Sequence, residues 1–223
     1  MTAYFRTIKT HCPILVWLTI GLGLSGCTAA TERLHPQFPN YRHTMGKMLV
    51  WLPEISIYEI MPDGSRLFDP VRSQNARNAA QQAIARQLQK KQFSVLTVEA
   101  DRMPTSGLND VIPLFRSVNR SIQLHTIGPQ LFPGKKSAFE YHLGPVAEIL
   151  QAYNADGLIL AIGHQTGSDR PAKNWLSIAV VEPGGRIIWY GLQGDHERFN
   201  IQNSQGVHAL VASTMAHFWE QGS

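Results

Sequence analysis

The sequence predicts an α/β fold: one layered domain over residues 46–219, with a mixed sheet of about five strands and flanking helices. Three observations predict it. An alanine-rich segment of helical period, 73–91, lies between two short strand-like runs. Gly157–Gly163 is almost continuously apolar, the pattern of a strand buried on both faces. Two further strand runs, joined by Pro183-Gly184-Gly185, lead into a last helix. The resulting order is β-α-β-α-α-β-β-β-α.

Each element has a local reason. Lys47 to Leu52 is the first strand, stopped by Pro53. Ile55, Ile57 and Glu59 continue in extended form to the turn Pro62-Asp63-Gly64. Asp69-Pro70 supplies an N-cap and N1 pair, with Ser73 a competing cap. Ala76, Ala80, Ala83, Ile84 and Leu88 then recur at helical spacing, and Arg77, Arg86, Lys90 and Lys91 mark the outer face. Phe93 to Val98 is the second strand. Residues 108–127 carry Val111, Leu114, Phe115, Val118, Ile122 and Leu124 or His125 at mostly helical spacing, with Pro113 expected in the first turn. Residues 128–136 hold two prolines and two glycines and read as a loop. A third helix is expected within 139–153, starting at Phe139 or near Gly144-Pro145. Trp175 to Val181 and Arg186 to Leu192 are the paired strands, and Gln205 to Trp219 is the last helix.

The amino terminus has a different character. Residues 1–11 are polar and hold Arg6 and Lys9 with no acid; an apolar run, Pro13 to Leu24, follows. A positive start, a short apolar run and small residues at its exit define a secretory signal. A run of about a dozen residues is shorter than the ~20 a membrane-spanning helix needs. Leu24-Ser25-Gly26-Cys27 resembles the lipobox of bacterial lipoproteins. That resemblance implies a signal peptide over 1–26, cleavage between Gly26 and Cys27, diacylglycerol on the Cys27 sulfur and acylation of its new amino group. Stable anchoring takes two or more acyl chains, which this modification provides. Thr28 and Ala29 stand where an aspartate would favour inner-membrane retention, so the resemblance implies the outer membrane. Residues 27–45, polar and bearing Pro36 and Pro39, read as a lipidated tether.

Composition narrows the function. The chain has 223 residues and a formal charge of +4; removing Arg6 and Lys9 with the leader lowers it to +2. A nucleic-acid binder needs a clustered basic face, and none is legible. Of two cysteines, Cys12 leaves with the leader and Cys27 is the lipid acceptor, so no thiol remains for a disulfide, a zinc-thiolate site or a nucleophile. Gly21-Leu22-Gly23-Leu24-Ser25-Gly26 matches G-x-G-x-x-G but lies inside the leader, without the strand and helix a dinucleotide site requires. The histidines show no H-x-x-x-H or H-E-x-x-H spacing. There is no G-x-S-x-G elbow and no P-loop; Ser168 sits in a glycine-containing loop. His164 could meet Asp169, Asp195, His196 and Glu197 across the loops 164–174 and 193–203. The plainer reading is a polar end of the sheet. No catalytic residue, cofactor or metal is expected.

The carboxyl-terminal half carries a second resemblance. Ala147-Glu148-Ile149 leads into Asn154-Ala155-Asp156-Gly157-Leu158-Ile159-Leu160, and a later strand runs Gly185-Arg186-Ile187-Ile188-Trp189. This is similar to lipoproteins of the CsgG-like, PelC-like and LpoB-like group, whose α/β domain is like the amino-terminal domain of TolB. The resemblance covers most of 45–219. It departs at Asn154, where the group has glycine, and at Glu182-Pro183-Gly184, where the group has an aspartate-containing turn. It implies a noncatalytic lipoprotein of the envelope, acting in assembly, export or regulation by binding other envelope proteins or itself. Leu131 and Phe132, in the loop before the third helix, are the candidate partner contact. The alternatives are a binding module for a small molecule or glycan, using the loops around His164, and a hydrolase without a recognisable motif.

Overall fold

The computed structural model describes residues 30–98, 108–126, 134, 139–167, 173–194 and 199–220. Among them the α/β prediction holds, and the sheet has eight strands where the sequence suggested about five. The additional strands come from two places, the segment read as a tether and the chain after Pro53.

Strand β1, Thr31–Leu34, pairs antiparallel with β8, Ile187–Gly194. Helix α1, Phe38–Arg42, buries Phe38 in the core. Residues 31–42 are therefore part of the domain, which corrects the tether reading. Their polar composition hides this because an edge strand needs backbone hydrogen bonds more than apolar side chains.

Strand β2 is Lys47–Val50 and β3 is Glu54–Ile60. Both run parallel to β6, Gly157–Thr166: β2 along Gly157–Ile159 and β3 along Ile162–Thr166. Pro53 separates them because it has no N–H to give to a ladder. β3 turns back into β4, Arg66–Phe68. Helix α2, Pro70–Lys90, follows, with the Asp69 carboxylate accepting from the Arg72 N–H at 2.8 Å. Asp69 is thus the cap. Ser73 instead donates to the Asp69 carbonyl at 2.6 Å and accepts from the Ile57 N–H at 3.0 Å, tying helix to strand. β5, Ser94–Thr97, lies parallel beside β2.

Helix α3 is Leu108–Thr126. Its buried stripe is Val111, Phe115, Asn119 and Ile122, while Leu114 and Leu124 are exposed. Pro113 lies in the second turn, one turn later than expected. Helix α4 is only Ala147–Ala152, shorter than expected. The chain before it is held out of the helix, because His142 bridges to Arg186 and the Leu143 N–H donates to the Gly185 carbonyl at 2.8 Å. β7, Lys173–Val181, joins β6 and β8 antiparallel. Helix α5, Ser204–Thr214, ends short of Trp219, and the chain continues in turns.

The main path of the sheet is β1-β8-β7-β6-β2-β5, with β3 and β4 branching from the far half of β6. One face is covered by α1, α2 and α5, through Phe38, Ala80, Ile84, Val207 and Leu210 against Val50, Ile57 and Ile159. The other is covered by α3 and α4, through Phe115, Ile122 and Leu150 against Leu158, Leu160 and Tyr190. This explains the continuous apolar run of β6: alternate residues feed two cores.

Two turns are held by residues suited to their backbone geometry. Asn154 has φ +49°, in the left-handed region that glycine enters freely and asparagine tolerates. The Glu182 carboxylate accepts the N–H groups of Gly184 and Arg186 at 2.9 and 3.1 Å, closing the β7–β8 turn as an aspartate would. Burial acts to raise the Glu182 pKa, but these N–H bonds and the Arg186 guanidinium together hold it below its ordinary value. Asp156 accepts from the N–H groups of Gly46 and Lys47 at 2.9 and 2.8 Å, fixing where β2 starts.

Candidate functional site

Three places in the described residues merit consideration as sites. The first is the end of the sheet where His164 was expected to meet loop acids. Phe68, Tyr58, His164 and Trp175 form a row of rings across β4, β3, β6 and β7, with successive centroids 5.5, 5.3 and 6.3 Å apart. A strand's alternation puts these four on one face, since each is level or nearly level with the next in register. His164 Nε2 lies 2.6 Å from Thr166 Oγ1. Burial, and then the Arg66 charge, lower the His164 pKa, so the ring is neutral at pH 7. Asp169, Asp195, His196, Glu197 and Ser168 lie outside the described residues.

The other polar groups at this end stitch loops to the sheet. Gln165 accepts from the Ile201 N–H at 2.8 Å and donates to Asn200 Oδ1 at 3.1 Å. The Asn174 amide donates to the Phe199 carbonyl, and Gln202 Nε2 donates to the Gly167 carbonyl at 3.0 Å. Buried amides used this way supply the hydrogen bonds that loops lose on leaving water.

A related network lies beneath α3. Asn119 Oδ1 accepts from Ser177 Oγ at 2.7 Å and from the Tyr190 hydroxyl at 2.8 Å, all three side chains being buried. Burial pushes the Tyr190 hydroxyl well above its ordinary range, so it stays a donor. Asn119→Leu takes the shared acceptor from both buried hydroxyls and leaves Ser177 only its 3.3 Å bond to the Ile162 carbonyl. Its expected effect is a loss of about 2 kcal/mol or more in urea unfolding. Tyr190→Phe in the same background should recover part of that loss.

The second place is an open cleft of about 420 Å³ at the opposite end of the sheet, lined by His35, Pro36, Gln37, Glu140, Tyr141, His142 and Arg186. His35 Nδ1 accepts the Gln37 N–H at 3.1 Å, and His142 Nδ1 accepts the Gly144 N–H at 2.8 Å. The proton of each neutral ring is therefore on Nε2. Burial, then the Arg186 charge, lower the His35 pKa. Arg186 itself is held by Glu182 at 3.1 Å and sits 5.7 Å from the centre of the Tyr41 ring. The cleft mixes donors with one carboxylate and can receive a polar group. Its residues come from three distant segments, so no sequence motif announces it.

The third place is the β3–β4 hairpin. Ile60, Met61, Leu67 and Phe68 are 55, 38, 54 and 41% exposed, and Val71 beyond it is 68% exposed. Exposed apolar residues concentrated on one ribbon mark a contact surface more often than isolated ones do. The sequence shows this stretch only as an extended run and a turn, because exposure depends on what packs against it.

Cys27, expected from the sequence as the lipid acceptor, Gly26 at the expected cleavage site, and the candidate contact residues Leu131 and Phe132 lie outside the described residues. No group of three or more His, Cys, Asp or Glu side chains placed to hold a metal occurs among the described residues. Nor, among them, is any helix long and apolar enough to cross a membrane.

No family model matches the chain. No curated protein matches it either. Among solved structures it is similar to lipoprotein GNA1162 from Neisseria meningitidis, at 13% identity and a TM-score of 0.36, over 80% of this chain and 99% of that one. It is also similar to the LpoB C-terminal domain from Salmonella enterica, at 12% identity and a TM-score of 0.32, over 73% of this chain and 94% of that one. Likeness at this level assigns no role to the chain.

Proposed function

We propose that this chain is a noncatalytic lipoprotein, anchored in the outer membrane by acyl chains on Cys27, whose domain faces the periplasm and works by protein contact. The observation that carries the reading is the leader: Arg6 and Lys9, the apolar run to Leu24, and Leu24-Ser25-Gly26-Cys27 at its exit. The polar interior supports the noncatalytic part. Asn119, Ser177, Gln165, Asn174 and Glu182, the groups a reaction would recruit, are each engaged in holding a helix, loop or turn. Partners are envelope proteins or a second copy, with Leu131 and Phe132 as the proposed contact.

The experiment is intact-mass analysis of the membrane-extracted protein. The expected mass begins at Cys27 and carries diacylglycerol plus an amide-linked acyl chain. Cys27→Ser should remove all acyl mass and leave the protein unprocessed or mislocalised. A mature protein that starts elsewhere, or lacks acyl mass, overturns the lipoprotein reading. Crosslinking pull-down with Phe132→Ala tests the contact: partner or self recovery should fall while the melting curve is unchanged.

A further inference from the structure

We infer that the β3–β4 hairpin is a second membrane contact, which rests on the bilayer interface beside the lipid on Cys27 and fixes the orientation of the domain. This rests on the lipoprotein reading and adds to it a surface and a ligand class, the phospholipid interface.

The argument begins with chain length. Cys27 is four residues before Thr31, the first residue of β1. At no more than ~3.6 Å per residue, those four residues span at most ~14 Å. The lipid therefore holds the near end of β1 close to the bilayer, and a domain so tethered cannot turn freely.

The sheet register then shows what else lies at that end. Thr31 pairs with Leu192, Leu192 with Ser177, Ser177 with Ile162, and Ile162 with Glu54. β1 enters the sheet on the same row at which β3 begins its run outward. β3 continues from Glu54 to Ile60, about 20 Å at ~3.3 Å per residue, and returns as β4. The chain leading back to Cys27 and the hairpin thus leave the sheet at one end. Laterally they are four strand spacings apart, about 19 Å. The cleft lined by His35, His142 and Arg186 is at the other end, where Leu34 pairs with Trp189 and His142 bridges to Arg186.

The hairpin has the chemistry of an interfacial element. Ile60 and Phe68 project from one face and Leu67 from the other, since Ile60 pairs with Arg66 and Glu59 with Leu67. A protein partner seated on one face would leave the opposite one in water; an interface of headgroups and acyl chains receives both. The turn sets the depth. Asp63 Oδ1 accepts the Ser65 N–H at 2.9 Å, and the Ser65 hydroxyl and N–H together keep the Asp63 pKa below its ordinary value, so the carboxylate stays charged. Among the described residues β4 also pairs with β3 alone, leaving a backbone edge that the hydrocarbon core would not tolerate. Both features hold the ribbon at headgroup level, where apolar side chains enter ~5–10 Å. Arg66 adds a cation to the ribbon at that level, suited to lipid phosphate.

The test uses the full-length lipidated protein in vesicles of phosphatidylethanolamine and phosphatidylglycerol containing spin-labelled lipid. Cys12 is lost with the leader and Cys27 is blocked by lipid, so an introduced thiol is unique. Leu67→Cys and Ile60→Cys are labelled with a fluorophore, and Pro183→Cys, exposed at the other end of the sheet, is the reference. Both hairpin sites are exposed, so neither substitution threatens the fold. The expected result is quenching at both hairpin sites at least about twofold greater than at Pro183→Cys. Equal quenching at all three sites, with acyl mass present on Cys27, overturns the hairpin proposal and leaves the lipoprotein reading standing. Crosslinking of Leu67→Cys to a second copy without quenching overturns it in favour of self-association. A sample without acyl mass on Cys27 overturns both.

Discussion

Leu160→Asp is expected to unfold the domain or destabilise it severely. Leu160 is 1% exposed at the centre of β6, opposite Ala179 of β7, and its side chain lies among Leu158, Ile162, Phe115 and Leu150 in the core beneath α3 and α4. The surrounding cluster is apolar. A carboxylate there must either stay charged without a partner or bind a proton and leave a polar group buried; either costs several kcal/mol. A domain of this size has only about 5–15 kcal/mol in hand. The expected outcome is loss of the cooperative melt followed by circular dichroism, or a fall in Tm of more than about 10 °C. Leu160→Ala should retain a cooperative transition, with a loss of about 2–5 kcal/mol. A wild-type melting curve for the aspartate variant would remove β6 from the interior and, with it, the layer order described above.

Gly185→Ala should have the next largest effect on the fold. Gly185 has φ +98°, where an L side chain is strained by about 1–2 kcal/mol. A Cβ there would also stand 1.8 Å from the Gly144 carbonyl oxygen, which is backbone and cannot swing aside. The turn and the segment before α4 must separate to admit it, adding about 1–3 kcal/mol. The contact matters because the Gly185 carbonyl accepts the Leu143 N–H at 2.8 Å and so holds the approach to α4 against the β7–β8 turn. Gly64→Ala is the control. Gly64 has φ +81° but nothing within 4 Å of its would-be Cβ, so it carries the dihedral cost alone. Free energies from urea unfolding should place the two losses on opposite sides of about 2 kcal/mol. Equal losses would show that the Gly144–Gly185 approach is looser than described.

The hairpin and the polar network differ in how visible they were beforehand. Asn119 occupies a helix position between Phe115 and Ile122, so its burial follows from the helical period. Its partners Ser177 and Tyr190 do not, since they come from strands 58 and 71 residues away. His164 was legible as a polar residue at a strand exit. Its packing between Tyr58 and Trp175 depends on β3 joining β6 in parallel, a pairing with no local signal.

Local patterns were enough for the α/β class, for helix α2 and for the interior position of β6, while the choice of Asp69 over Ser73 as the cap was settled only by the folded geometry. The first three depend on residues within one or two turns of chain, where periodicity acts directly. The length of the sheet was decided at long range. Thr31–Leu34 becomes a strand because β8 offers it an edge, and the chain from Lys47 to Ile60 becomes two strands because β6 is long enough to carry both. α4 is short because His142 and Leu143 are drawn to Arg186 and Gly185 before a helix can begin. In each case backbone hydrogen bonding to a distant segment outweighed local propensity, which contributes only tenths of a kcal/mol per residue.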